Sequence, residues 1–514
     1  MVRVPGVDYL LLVINSSFPL SQPRVLAPQA KPDGTWPHVE QGGLLCLTST
    51  NTSLDPGQRV LYHLQSALEL FNYSDDQCRL EFEREFSAYW EHSLTNKQKP
   101  PAVLSLLKPS STSREIYWSY DHAHQQIIAA ENKDDLLTWL RNSKNHNFPQ
   151  YIGWLEWLPK PLVPVQFPKV GSDVIKFLPK EIIPKIIQPG QDCLVIFGTT
   201  TITGPVFVAT KLRGSEKKHL AKGFRNIARV PQQFVTNSFG ACPAQRCVVT
   251  RADGSWVHGR DKDTQFRWLS KRKAAVLGCG ALGGSIARLL AQAGVCDFLL
   301  VDYDTLAPQN TSRHVLGHPS IFMNKAIATA DMLKTDFPHI KNAEAMQQRF
   351  SDLNDEQRTR LSECDILISA GIDYEGDMQI DAWRQLLPCP PVHVCTWLEE
   401  FAIIGHAVAL FGVDRLSIAF DANERVRFRV TDWPNTKTLL IEAGCGNVFQ
   451  PHGAIELQST VNIAAGLALD VLCGKVTMSL RRVWYGDREE MIRRGGTALS
   501  LFEDSRCVRE YPWQ

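Results

Sequence analysis

The sequence predicts an α/β protein. Its C-terminal half is built on a mostly parallel sheet, and two α+β regions precede it. Three observations carry this. From about residue 266 the pattern runs strand, glycine turn, helix, strand, which is the rhythm of a parallel sheet. Residues 101–265 mix strand-like runs such as "DCLVIFGTT" and "GPVFVATKLRG" with the Pro-rich connection "WLPKPLVPVQFPKV" (157–170). Residues 1–100 open with apolar, strand-like runs, pass through Pro-rich turns and end in helical patterns. A length of 514 residues suits roughly three domains at ~150 residues each, divided here as 1–100, 101–265 and 266–514.

Bulk composition narrows the function classes. Apolar content is 44% and charged content 21%, ordinary values for a chain with ample core. Lys plus Arg is 55 against 54 for Asp plus Glu, so nothing points to nucleic acid or an anionic membrane as partner. No apolar run approaches the ~20 residues of a membrane span. The start, "MVRVPGVDYLLLVINSSF", lacks the flanks and cleavage site of a signal peptide. The thirteen cysteines show no paired CxxC pattern, so neither a zinc site nor a disulfide framework is expected, and a reducing cytoplasm is.

Within the first region, "PGQRVLYHLQSALELF" (56–71) is apolar at helical spacing, and "LEFEREFSAYWEHSL" (80–94) predicts a second helix. Aromatics crowd the middle region ("YWSYDHAHQQ", "YIGWLEWLP"). With no accompanying basic run they are expected in the core rather than on a base-stacking surface.

The C-terminal region holds the strongest signal, "KAAVLGCGALGGSIARLLAQAGVCDFLLVDYD" (273–304). Gly278, Gly280 and Gly283 form GxGxxG after a buried-strand run, and the helix that follows closes at Gly294. Such glycines let backbone approach phosphate at a helix N-terminus, where free N–H groups favour an anion. Asp302 ends the next strand and is placed to hold ribose hydroxyls. An NAD site would be satisfied by this much. The continuation "DYDTLAPQNTSRH" (302–314) and Lys325 add a polar, cationic set suited to a triphosphate attacked at its α-phosphate. "CDILISAGID" (364–373) delivers Asp373 at a strand end as a natural Mg²⁺ ligand.

These residues resemble the Rossmann-like adenylation domain of ubiquitin-activating (E1-like) enzymes and their sulfur-carrier relatives, the ThiF/MoeB family. The matching positions are Gly278, Gly280, Gly283 and Gly284, then Asp302, Asp304, Asn310, Arg313, Lys325 and Asp373, within roughly 250–490. The family's valine is replaced by Leu306 or absent, its zinc-binding cysteine pairs are missing, and Arg260 stands near the place of an upstream arginine. The resemblance implies that ATP, with Mg²⁺, adenylates the C-terminal glycine carboxylate of a small protein. It gives ribose to Asp302 and the phosphates to Asn310, Arg313 and Lys325.

Such enzymes often pass the acyl group to a cysteine. Cys445, in "EAGCGNVFQPHG" (442–453), is flanked by glycines in a loop before the amphipathic helix 453–474, a setting for a reactive thiol. Cys389 and Cys395 are expected in the core, Cys279 as a bystander in the glycine turn, and His406 as a satisfied core group. His314 beside Arg313 fits either a phosphate contact or a structural role.

A further cysteine lies far upstream. "WPHVEQGGLLCL" (36–47), after Phe-Pro and a strand and before a helix, resembles the core of a ubiquitin-conjugating (E2-like, UBC-like) enzyme over residues 8–95. Cys46 stands in the catalytic position, eight residues after His38, which occupies the place of that family's asparagine. His38 is a candidate polariser of the oxyanion or a base. The family's first helix and first strand find no counterpart before this stretch, so either the true start is expected upstream or the fold is expected to be trimmed.

Both modules in one chain resemble the bacterial fusion enzymes of ubiquitin-like conjugation, as in anti-phage cyclic-oligonucleotide signalling (CBASS) operons. The resemblance implies a homodimer in antiviral defence. It activates a ubiquitin-like or cGAS-like nucleotidyltransferase partner, relays it from Cys445 to Cys46 and joins it to a target lysine. Two alternatives stand beside it: a sulfur-carrier adenylyltransferase with an inert Cys46, and a nucleotide-binding scaffold without catalysis.

Overall fold

A computed structural model of the chain describes residues 7–31, 34–49, 55–92, 101–141, 148–422, 424–434, 438, 440–441, 448–449, 451–499, 502 and 505–513. The chain packs as two compact units, Met1–Asp253 and Gly254–Gln514.

In the first unit, β1 (Leu11–Val13) pairs antiparallel with β2 (Arg24–Leu26). Helix Pro56–Leu70 starts where Asp55 accepts the Gly57 N–H and Pro56 fixes the first turn. Its Ala67 and Leu70 pack with Val25, Val39 and Leu45 in a small core. The helix expected over 80–94 begins earlier, at Asp75, and breaks at Glu85. Ser74 and Gln77 form a capping box, and Asp75 and Asp76 favour the N-terminal dipole. After the break, helix Phe86–His92 turns Phe86 and Trp90 into a core shared with Phe167, Val195 and Phe197.

Seven strands then close a barrel in the order β3-β5-β4-β6-β7-β8-β9. They are β3 (Ala102–Ser105), β4 (Arg114–Asp121), β5 (Gln126–Ala130), β6 (Tyr151–Trp157), β7 (Cys193–Thr201), β8 (Gly204–Leu212) and β9 (Gln245–Arg251). Trp118 is buried and lies 4.7 Å from the Tyr151 ring, so the aromatic-rich stretch does serve the interior.

The second unit is built on β10 (Lys273–Leu277), β11 (Asp297–Val301), β12 (Asn342–Met346), β13 (Ile366–Ala370), β14 (Val392–Leu398) and β15 (Ile404–Leu410). β16 (Thr431–Asp432), β17 (Leu440–Ile441), β18 (Val448–Phe449), β19 (Leu480–Tyr485), β20 (Thr497–Ala498) and β21 (Cys507–Pro512) complete it. Eight strands form one sheet, ordered β12-β11-β10-β13-β14-β15-β19-β21. The first five run parallel, and β15, β19 and β21 add antiparallel pairs. Alternation sends Ala274, Val276 and Leu300 to one core and Ala275, Leu277 and Leu299 to the opposite one. Helices therefore cover both faces, as buried parallel strands require.

Helix Ala454–Leu472 is long and apolar enough to cross a membrane by length and composition alone. Its Leu457, Val461, Ala464, Leu467 and Ala468 instead pack into the core of the sheet. The chain leaves β10 toward β11 on one side and later adds β13 on the other, so a crevice opens beyond the C-terminal ends of these strands.

Candidate functional site

That crevice is a cavity of about 290 Å³, lined among others by Gly278, Gly280, Asp302, Asp304, Lys325 and Asp373. All but Lys325, which opens a helix, follow a strand end. Gly278 follows β10 at φ 87°, and a Cβ there would meet the Ala370 carbonyl oxygen at 2.8 Å. A Cβ on Gly283 would lie 1.8 Å from the Gly278 carbonyl oxygen, so helix Ala281–Ala293 can sit this close only with glycine there. Gly280, the residue before that helix, has nothing within 4 Å of a built Cβ and leaves the helix N-terminus open to an anion.

Asp302 is nearly buried. Its oxygens accept the Cys279 N–H at 2.7 Å and the Asp304 N–H at 2.8 Å, and burial pushes its carboxyl up from the usual range. Lys325 opens helix Lys325–Asp336, and its Nζ lies 2.9 Å from Asp304 Oδ2. Asp373 caps helix Tyr374–Arg384 by accepting the Gly376 N–H at 2.7 Å through Oδ1. One turn on, burial pushes the Asp377 carboxyl up to about 7, and Cys395 Sγ lies 3.5 Å from it.

The structure does not gather every expected residue here. Asn310 turns inward on its own loop and accepts the Ala307 N–H at 3.0 Å. Arg313 lines a second cavity of about 350 Å³ with Ser285, Arg288, His314 and Gln458. His314 accepts the Leu316 N–H at Nδ1, which leaves Nε2 to donate to the Cys279 carbonyl at 2.8 Å, so it braces the glycine turn. Arg260 donates to the Trp256 carbonyl and stacks over that indole, away from the residues that line the crevice.

Three residues escaped the sequence reading. Asn324 donates to the backbone carbonyls of both Asp302 and Asp304 and caps the helix of Lys325. Arg349, from the segment after β12, lies 4.2 Å over the ring of Tyr303, and both line the cavity. The signal was the C-terminal end of β12, a ligand-facing position in such sheets.

Cys46 belongs to the first unit and is exposed. Its N–H donates to the His38 carbonyl at 2.9 Å, and Val39 bridges Leu45, so residues 38–46 fold back as a tight hairpin. Gly43 makes that possible: at φ 77°, a Cβ there would lie 2.2 Å from the Ala27 carbonyl oxygen. His38 is held at φ 59° by its N–H bond of 2.7 Å to Tyr89 Oη. Its Nε2 lies 3.2 Å from Glu81 and its Nδ1 3.5 Å from Glu85. Arg84 pairs with both acids.

A reactive thiol is expected in an electropositive setting. The finding here is the reverse: partial burial, then Glu40 and Glu85, push the Cys46 thiol up. Glu40, Glu81, Glu85 and Tyr89 were not anticipated as neighbours. Cys445 lies outside the described residues. Cys395 and Cys279 are buried with thiols pushed well above the usual range, whereas Cys389, expected in the core, is exposed in the turn before β14. His406 is buried, with Nε2 2.8 Å from Glu399.

Comparison with known proteins agrees with this division. Residues 259–387 match the ThiF family and residues 2–98 match prokaryotic E2 family B. An ATP-dependent ubiquitin transferase-like protein Cap2 from Pseudomonas aeruginosa is 30% identical over 243 residues, 45% of this chain and 42% of that protein. Its namesake from Vibrio cholerae is 25% identical over 383 residues, 65% of this chain and 62% of that protein. An adenylyltransferase and sulfurtransferase MOCS3 from Xenopus laevis is 30% identical over 152 residues, 24% of this chain and 34% of that protein. The matches thus span less than two thirds of the length of these relatives. With its nucleotide-type crevice in one unit and its hairpin cysteine in the other, the chain is a fusion of an E2-like segment with an E1-like, ThiF-family domain.

Proposed function

We propose that the chain activates the C-terminal carboxylate of a protein partner with ATP and transfers it, through thioesters, to an amine. The observation that carries the reading is the crevice itself. An open helix N-terminus, a lysine and two strand-end acids converge on one cavity, in a chain that also presents an exposed cysteine on a glycine-folded hairpin. The relatives named ATP-dependent ubiquitin transferase-like support it.

ATP would lie with its phosphates toward Gly280 and Lys325 and its ribose toward Asp302. The aromatic face of Tyr303 under Arg349 offers a wall for the base. A carboxylate oxygen of the partner attacks the α-phosphorus, and the bond to pyrophosphate breaks. Lys325 balances the charge that builds on the phosphates. Asp373 suits Mg²⁺: it is a carboxylate that lines the cavity and uses one oxygen to cap its helix. Bound there, the ion would screen the phosphates. Arg313 and Asn310 would act from the neighbouring loop, Arg313 reaching over from the second cavity.

The acyl-adenylate then meets a thiolate, first Cys445 and then Cys46. At each step a C–S bond forms as AMP or the earlier thiol leaves. A target amine, lysine in the reading taken here, attacks the Cys46 thioester, with His38 beside it as polariser or base. A ubiquitin-like or cGAS-like protein ending in glycine is the carboxylate partner in this reading, and the enzyme works as a homodimer in CBASS-type antiviral defence.

The test is a non-reducing gel of the chain with ATP, Mg²⁺ and such a partner, alongside Cys46→Ser and Cys445→Ser. A thiol-sensitive adduct that needs ATP and is altered in each variant supports the relay. Pyrophosphate exchange with no adduct would sink it. One observation favours a second reading, a sulfur-carrier adenylyltransferase with an idle Cys46: the acids around that thiol oppose its ionisation. The likeness to MOCS3 points the same way.

A further inference from the structure

The segment between β8 and β9 concentrates charge that the rest of the chain balances. Overall the chain carries 55 Lys and Arg against 54 Asp and Glu. Over 213–229, "RGSEKKHLAKGFRNIAR", Arg213, Lys217, Lys218, Lys222, Arg225 and Arg229 face a single acid, Glu216. All six are exposed, and none makes an ion pair with a carboxylate among the described residues. Like charges this dense repel one another and cost stability, so a purely solvated face is expected to interleave acids.

The segment is tied down. The Gly214 N–H donates to Asp192 Oδ1 at 2.9 Å, Ser215 Oγ meets Ser238 Oγ at 2.6 Å, and Leu220 is buried at 3% exposure. An apolar spot lies among the cations. Phe224 packs edge-on against Phe234 with ring centroids 5.6 Å apart, and Phe234 is 50% exposed. Exposed cations flank Phe224 along a tethered segment, and Phe224 packs on the half-exposed Phe234 ring, which gives a surface with a polar rim and an aromatic anchor.

We infer that this strip on the barrel docks a short acidic segment of a protein partner, one carrying an apolar side chain that covers Phe234. A short segment fits better than a long polyanion. The chain as a whole is nearly neutral, so a nucleic acid running past these seventeen residues would find no continuing positive track. A partner held here would be bound by the same unit that carries Cys46.

The test uses the full chain and a fluorescein-labelled Asp/Glu-rich peptide with one central leucine, read by anisotropy. Binding should weaken by roughly 10-fold between ~0.05 and ~0.2 M salt as the charges are screened. Changing all six cations to Glu should remove it. Because that variant adds like charge and could unfold, changing all six to Gln is read in parallel, with melting curves for both, and should also weaken binding by roughly 10-fold or more. Phe234→Ala should cost a further several-fold. Undiminished peptide binding by a folded Gln variant overturns the inference. So does a single-stranded oligonucleotide of equal charge that binds ~10-fold more tightly than the peptide, because the strip would then be a nucleic-acid surface.

Discussion

The turn that opens at Gly278 and the turn at Gly42–Gly43 both use glycine at positive φ, yet they set different groups beside their key atoms. The first leaves a helix N-terminus uncovered and sets Lys325 beside it. The second places Cys46 near Glu40 and Glu85, which push its thiol up. A nucleotide site must hold its donors ready, because phosphate arrives charged and has to be stabilised at once. A carrier thiol is different. Once acylated it bears no charge, so nearby carboxylates no longer oppose it, and they attract the cationic amine that must come next. On the proposed reading, the acids lower the standing reactivity of Cys46 and favour its last step.

The largest effect expected from breaking this contrast is at the nucleotide turn. Asp373→Ala and Lys325→Ala should each lower ATP–pyrophosphate exchange by ~100-fold or more, since both groups face charge that develops on the phosphates. Asp373→Ala also removes a helix N-cap and should cost about 0.5–2 kcal/mol, so exchange is compared at a temperature where melting curves show both variants folded. Equal exchange in wild type and both variants would remove the crevice from the chemistry. Gly283→Ala should act differently from Gly280→Ala. The added methyl at 283 meets a carbonyl oxygen at 1.8 Å, whereas at 280 nothing lies within 4 Å. Denaturant unfolding should show Gly283→Ala destabilised by about 1–3 kcal/mol. Gly280→Ala should keep its stability and lose ATP affinity instead.

These differences also mark what the sequence could reveal. The crevice was legible because its parts are local. Strand, glycine turn, helix and strand-end acid follow within thirty-two residues (273–304), and sheet topology alone brings in Asp373. What escaped came from afar or from orientation. Glu81 and Tyr89 reach His38 across 43 and 51 residues through helices whose break at Glu85 no periodicity announced. Arg313 sits at the right spacing but turns into another cavity, because His314 beside it is fixed to the Cys279 carbonyl. Arg349 is one of many arginines until β12 sets it over Tyr303.

A smaller effect tests whether the nucleotide unit stores opposed charge of its own. Burial holds the Asp377 carboxyl up to about 7, against an unfolded value near ~3.9. The folded state therefore binds more protons between these limits, and stability should fall as pH rises from ~4 to ~7. Asp377→Asn removes that slope. The melting temperature of the variant minus that of wild type should rise across this window, by about 2–4 °C for each 1 kcal/mol of slope removed in a domain of this size. A flat difference would mean that the carboxyl titrates alike in both states.

The smallest effect lies at Cys46 and bears most directly on the contrast. Glu40 and Glu85 push the thiol up by their charge, after partial burial. Glu40→Gln with Glu85→Gln removes that charge and leaves the burial. The pH midpoint for alkylation of Cys46 by iodoacetamide, followed by mass spectrometry of its peptide, should then move down. At pH ~8 the rate should rise by roughly 3-fold, in step with the larger thiolate fraction. If the acids also attract the amine, the same variant, loaded with an acyl group, should need a higher amine concentration to discharge. Faster alkylation together with slower discharge would show one pair of carboxylates acting in both directions. Faster alkylation with unchanged discharge would leave them as guards of the free thiol alone.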